Sequence, residues 1–244
     1  MRRTMLTGAL LVGGLLGLPA AGAQAATQCT GLLTDQTING PLQVPPNSVC
    51  ALMGVRVNGS VSIGKGAAFA LGYRNAPRGN TITGAINGTD IQSFDTDVPG
   101  STVDGAIDLK GVTTVPYLSL LSTLGLPDLD TDGANFFTAL DVHGATDITG
   151  SLAGARWDDD TGYPSDFAGG FSYTGNAAYL SLVNGSTIGS AMTVKGNTGG
   201  GELGRLAGLK IGGSLSCGNA PAFSVYAVQV TGHDGATSAT GGLC

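Results

Sequence analysis

The stretch Val57-Asn58-Gly59-Ser60-Val61-Ser62-Ile63 decides the fold. It reads apolar, polar, glycine, then polar and apolar in strict alternation. A period of two marks a strand with one face in the core. Val57, Val61 and Ile63 are therefore expected to point inward, and Asn58, Ser60 and Ser62 outward or into corners. Gly59 falls where the chain has to bend, and its expected role is to take up φ > 0 without a steric penalty.

Relatives of the phrase recur along the chain. Ile38-Asn39-Gly40-Pro41-Leu42-Gln43-Val44 precedes it, and Ile82-Thr83-Gly84-Ala85-Ile86 and Val103-Asp104-Gly105-Ala106-Ile107-Asp108-Leu109 follow. Val142-His143-Gly144 and Val183-Asn184-Gly185 are weaker copies, Ile211-Gly212-Gly213-Ser214-Leu215-Ser216-Cys217 is a good one, and Val230-Thr231-Gly232 is a fragment. The copies lie about twenty residues apart, which is the period of a solenoid in which each repeat is one coil of short strands. Two intervals, after Val103 and after Val142, are about twice as long, as though a degenerate copy lay in each. The reading is an all-β parallel β-helix of about nine coils. A β-sandwich is the alternative, and it predicts turns every 8–12 residues with no fixed glycine inside the motif.

Residues 1–25 read as an export signal rather than structure. Arg2 and Arg3 form a basic start, Leu6 to Leu18 is an apolar run short for a membrane span, and Ala23-Gln24-Ala25 is an A-x-A cleavage signature. The cut is placed after Ala25, with Ala26 as the alternative. Residues 26–244 then form a single domain with no further run long enough for a membrane helix, destined for secretion or the cell surface. Losing Arg2 and Arg3 takes Lys+Arg from 11 to 9 against 17 acids, so the net charge moves from −6 to −8. That balance argues against nucleic acid and anionic membrane as partners and is compatible with cations or neutral sugars. Charged residues are 11% of the chain and Gly reaches 42, poor material for surface helices and good material for strands joined by tight turns.

In an exported chain the four cysteines, Cys29, Cys50, Cys217 and Cys244, are expected as disulfides. They allow three pairings. Cys29–Cys50 and Cys217–Cys244 are favoured because each pair is close in sequence and the two bracket the chain. Each would close a loop worth about 3 kcal/mol by chain entropy.

Two segments break the repeat and read as insertions, at about 112–140 and 156–173. In the first, Pro116 can open a short helix through Leu118, Leu120, Leu121 and Leu124 that ends at Gly125, or the segment can lie on the solenoid as an apolar loop. The same segment holds Asp128-Leu129-Asp130-Thr131-Asp132-Gly133, with the D-x-D-x-D-G spacing of a calcium loop. Its twelfth position is Ala139 rather than a bidentate Glu, with Asp141 two residues beyond, so Ca2+ at Asp128, Asp130 and Asp132 competes with a solvated acidic turn. The second insertion concentrates five of the 14 aromatics: Trp157, Tyr163, Phe167, Phe171 and Tyr173. Exposed, they would stack on sugar rings, with Arg156, Asp158 and Asp160 binding hydroxyls or a metal. Buried, they would cover a flank of the coils. His143 and His233 are expected at the surface, and Asn58, Asn87 and Asn184 head sequons that read as Asn-Gly turns.

The segments Val44 to Ala67 and Ile211 to Pro221, with Val230-Thr231-Gly232 and Cys244, resemble exported bacterial proteins, common in actinobacteria, built of V-x-G-N-V-x-V repeats with a cysteine near each end. The resemblance covers about 27–110 and 205–244. It implies a right-handed parallel β-helix and export, and it carries over no catalytic residue. The function expected is that of an exported, non-enzymatic β-helix with a structural or surface-binding role at the envelope or outside the cell. Self-association is expected if an end is bare. The alternative is a polysaccharide-binding or polysaccharide-cleaving β-helix with Arg156, Trp157, Asp158, Asp160 and Tyr163 as its site.

Overall fold

The computed structural model describes residues 25–72, 78–96, 100–113, 135–136, 140–152, 155–157, 164–177, 180–182, 185–198, 204–219, 222–232, 237–239 and 242–243. Among these the chain is all strand and turn, wound as a parallel β-helix. Each coil contributes one strand to each of three sides. The first side is a nine-stranded sheet running from Thr27–Gln28 to Leu215–Gly218. The second is a ten-stranded sheet that starts at Thr37–Asn39. The third side is shared by a four-stranded sheet, Leu32–Thr34 to Ser93–Asp95, and a six-stranded sheet that begins at Asn135–Phe136.

The repeated heptad spans the corner between the second side and the first. Val57 sits on the second, Val61 and Ile63 on the first, all three buried, while Asn58 and Ser62 are exposed. Register shows which copies are real. On the second side Ile38, Val57, Ile82, Val103, Val142, Phe167, Ile188, Ile211 and Val230 stack in one inward column. The long interval after Val142 does hide a degenerate copy, Phe167-Ala168-Gly169-Gly170-Phe171-Ser172-Tyr173, and the next begins at Ile188 rather than Val183. The long interval after Val103 hides none: Val103 stacks directly on Val142, so the extra residues belong to a single coil.

Three corners are built in three ways. At the heptad corner φ is not positive at Gly59, Gly84, Gly105 or Gly144, so the expected reason for glycine is corrected at these positions, whereas Gly40 of the first copy has φ of 111°. A Cβ on Gly59 would stand 2.6 Å from the carbonyl carbon of Gly40, and one on Gly105 would stand 2.5 Å from the Ala85 nitrogen. Glycine is needed because one coil's backbone lies directly on the next. At the corner leaving the first side, asparagines form a ladder, Asn176 and Asn197 buried and Asn219 half-buried. Asn176 Oδ1 accepts the Ser151 N–H (2.7 Å), Asn197 Oδ1 accepts the Asn176 N–H (2.9 Å), and Asn219 Oδ1 accepts the Asn197 N–H (3.2 Å). Their amide groups donate to Ile148, Tyr173 and Val194 carbonyls. At the corner entering the second side, Ser101 Oγ accepts the Asn80 N–H and Ser186 Oγ the Ser165 N–H. A buried backbone donor left alone costs about 1–3 kcal/mol, and these ladders satisfy donors that a turn takes out of the sheets.

Cys29 and Cys50 form a disulfide joining the first two coils, with Cα atoms 5.5 Å apart and both residues fully buried. Cys217 is disulfide-bonded too. Cys244, the partner favoured by spacing, lies outside the described residues.

Candidate functional site

The inward columns leave matching outward rows. Strands alternate, so every outward residue stacks on the outward residue of the next coil, about 4.8 Å away. The first and second sides follow this rule and carry polar rows. The four-stranded part of the third side does not: Ala51, Ala68, Ala70, Ser93 and Asp95 face away from the core yet are almost wholly buried. Those strands are buried on both faces, while the first strand of that sheet, Leu32–Thr34, stays exposed. The polar outward rows lie on the first two sides.

On the second side the outward residues gather into one acidic group around a histidine. His143 follows Val142 in its strand, and Asp104 follows Val103 one coil earlier, so the ladder places them side by side. Asp104 Oδ1 lies 2.9 Å from His143 Nδ1, and Asp141 Oδ2 lies 3.5 Å from Nε2. Asp141 pairs in register with Asp166 of the following coil. Three carboxylates and one imidazole thus lie on three successive coils, all partly exposed. Above and below, the same row continues with Thr102 and Thr187. Hydroxyls, carboxylates and one imidazole set at the coil spacing present regular hydrogen-bond acceptors and donors to a ligand lying along the axis.

The first side carries a smaller charged group. Asp108 pairs in register with Asp147, and Asp108 Oδ2 accepts from Lys110 Nζ at 2.9 Å. The hydrogen bond to Asp108, then its charge and that of Asp147, push the Lys110 pKa up and keep the ammonium charged.

The expected sites fare unequally. Phe167, Phe171 and Tyr173 are not a projecting aromatic platform: they occupy regular strands, are fully buried, and replace aliphatic residues in the inward columns. Phe167 and Phe171 meet edge to face at 5.3 Å across the corner. The segment from 164 to 173 is therefore part of the coil, not an insertion. Arg156 and Trp157 lie in the strand Ala155–Trp157, paired parallel on both sides. Asp158, Asp160 and Tyr163 lie outside the described residues, as do Asp128, Asp130, Asp132, the Pro116 to Gly125 segment and His233. Among the described residues no group of three or more His, Cys, Asp or Glu is arranged to hold a metal ion, and no helix is long and apolar enough to cross a membrane.

His143 was legible as a surface residue, but its carboxylate partners were not. Asp104 is far from it in sequence, and only the direct stacking of Val103 on Val142 brings them together. The asparagine ladder had a signal of its own, the dipeptide Gly-Asn at 175–176, 196–197 and 218–219, close to the coil period. No family model, curated protein or solved structure matches the chain.

Proposed function

We propose that the protein is an exported, non-enzymatic β-helix of the V-x-G-N-V-x-V repeat type that binds an extended polar polymer at the cell envelope through its second side. The observation that carries this reading is the group of Asp104, Asp141, Asp166 and His143, set on successive coils within continuous outward rows. A ligand with hydroxyls or amines repeating along its length can meet such a row at several coils at once. Each contact is weak in water, and affinity comes from repetition on a scaffold that is already rigid. A polysaccharide has this chemistry; an anionic polymer is opposed by the acidic face and by the net charge, −6 for the whole chain and −8 once Arg2 and Arg3 are removed (9 Lys+Arg against 17 acids).

The test uses the processed, oxidised protein and three insoluble polymers: peptidoglycan sacculi, cellulose and chitosan. The expected result is co-sedimentation with at least one, weakened about tenfold or more in Asp104→Asn/Asp141→Asn/Asp166→Asn. Failure to sediment with any of them, or equal retention of the triple variant, removes the proposed face. New reducing ends released by the wild type would replace the non-enzymatic reading with the cleaving one.

A further inference from the structure

The two ends of the helix differ. At the C-terminal end the chain turns back on itself: Thr237–Ala239 pairs antiparallel with Val228–Val230, and Gly242–Leu243 pairs antiparallel with Ser224–Tyr226. On two of the three sides the last strand there is a short antiparallel return, which itself stands last in its sheet among the described residues. At the N-terminal end Thr27–Gln28, Leu32–Thr34 and Thr37–Asn39 each stand last in their sheet, paired on one side only among the described residues.

The hydrogen bonds show what that end offers. Thr27 and Cys29 donate to Pro41 and Gln43; Gly31 and Gln36 accept from Ala51 and Arg56; Asp35 and Gly40 donate to Met53 and Asn58. In a parallel ladder a residue turns its N–H and C=O to the same neighbour, and the next residue turns both the other way. The backbone groups of Gln28, Leu32, Thr34, Thr37 and Asn39 therefore face away from the second coil. The inward side chains of this coil are already settled, with Cys29 and Ile38 buried. What remains open is backbone, on three sides at once, with Leu32 37% exposed beside it.

We propose that this end docks a second copy of the chain head to head, giving a closed dimer. A two-fold axis across the end reverses strand direction, so each strand of one copy meets a strand of the other antiparallel. That is the pairing the chain already uses at its C-terminal end. Head-to-tail growth would have to set the first coil on returning strands only three and two residues long that run against the coils, a poorer template than a second first coil, so association stops at two. The expected export cut after Ala25 leaves only Ala26 ahead of the first strand, so no arm remains to fold over the edge; in this respect the inference rests on the export reading.

Sedimentation of oxidised residues 26–244 is expected to give a concentration-dependent approach to twice the monomer mass. Gln28→Pro/Thr34→Pro removes two outward donors and none of the ladder bonds to the second coil. It is expected to be monomeric, with unchanged circular dichroism and no free thiol. Should that variant fail to fold, Leu32→Lys at the exposed rim is expected to weaken the dimer tenfold or more. A wild type that stays monomeric at every concentration overturns the inference. So does a dimer indifferent to whichever of these variants folds, or an open series of larger species.

Discussion

At the residue scale, glycine serves two purposes that look alike in sequence. Gly144 has no positive φ and lies against the backbone of the preceding coil; a Cβ there would stand 2.5 Å from the Gly105 carbonyl carbon. Gly150 is the reverse, with φ of 62° and only the Gly111 nitrogen at 4.0 Å from the added Cβ. Asparagine tolerates the left-handed region but has the same Cβ as any other residue. Gly144→Ala is therefore expected to cost about 1–3 kcal/mol through forced separation of the coils. Gly150→Asn is expected to stay within about 1 kcal/mol of the wild type. Urea midpoints at constant slope measure both. Equal losses at the two positions would show that conformation, not close approach, sets the glycine requirement.

At the scale of the element, the corners matter as much as the strands. Strand pairing satisfies backbone groups along each side and fails at each turn, where the chain leaves the ladder. The asparagine ladder repairs one corner. Asn197→Ala would orphan the Asn176 N–H and the Tyr173 carbonyl, both inside the protein. The expected loss is about 2–6 kcal/mol from two groups at the usual cost per orphan. Asn197→Ser should recover part of it, since serine hydroxyls accept the equivalent N–H at another corner. A serine variant no better than alanine would mean that the carbonyl contact dominates. Most strands were readable in advance because aliphatic inward residues repeat. The coil from Phe167 to Tyr173 was not, because three aromatics occupy aliphatic positions and the same residue types serve as exposed binding platforms elsewhere. Burial separates the two, and burial here depends on neighbouring coils.

For the whole molecule, stability is distributed along one axis. Each coil touches chiefly the coils on either side, so interior coils have two neighbours and terminal coils one. Amide exchange is expected to be slowest for the first-side strands Ile107–Lys110, Thr146–Thr149 and Phe171–Thr174, and faster toward both ends. The disulfide Cys29–Cys50 counters fraying at the N-terminal end. Reducing it should speed exchange in the first two coils and leave the interior unchanged. Uniform acceleration along the chain would instead indicate one cooperative unit. Dimerisation at the same end would slow exchange there further, in a concentration-dependent way.

The sequence by itself determined the parallel β-helix, the aliphatic part of its inward columns and the pairing of its first two cysteines. Each rests on a local pattern, whether alternation, a glycine at a fixed place, or closeness along the chain, and a local pattern survives without knowledge of neighbours. The tertiary structure alone decided the rest. It showed that Gly59 answers to Gly40 and not to its own φ, and that Phe167 opens a coil. It also brought His143 between Asp104 and Asp141 and ended the helix in parallel coil strands at one end and in antiparallel returning strands at the other. The physical reason is common to all four. In a solenoid every neighbour that matters is one coil away, and the number of residues in a coil varies. Register, which no single repeat contains, therefore chooses each residue's partners.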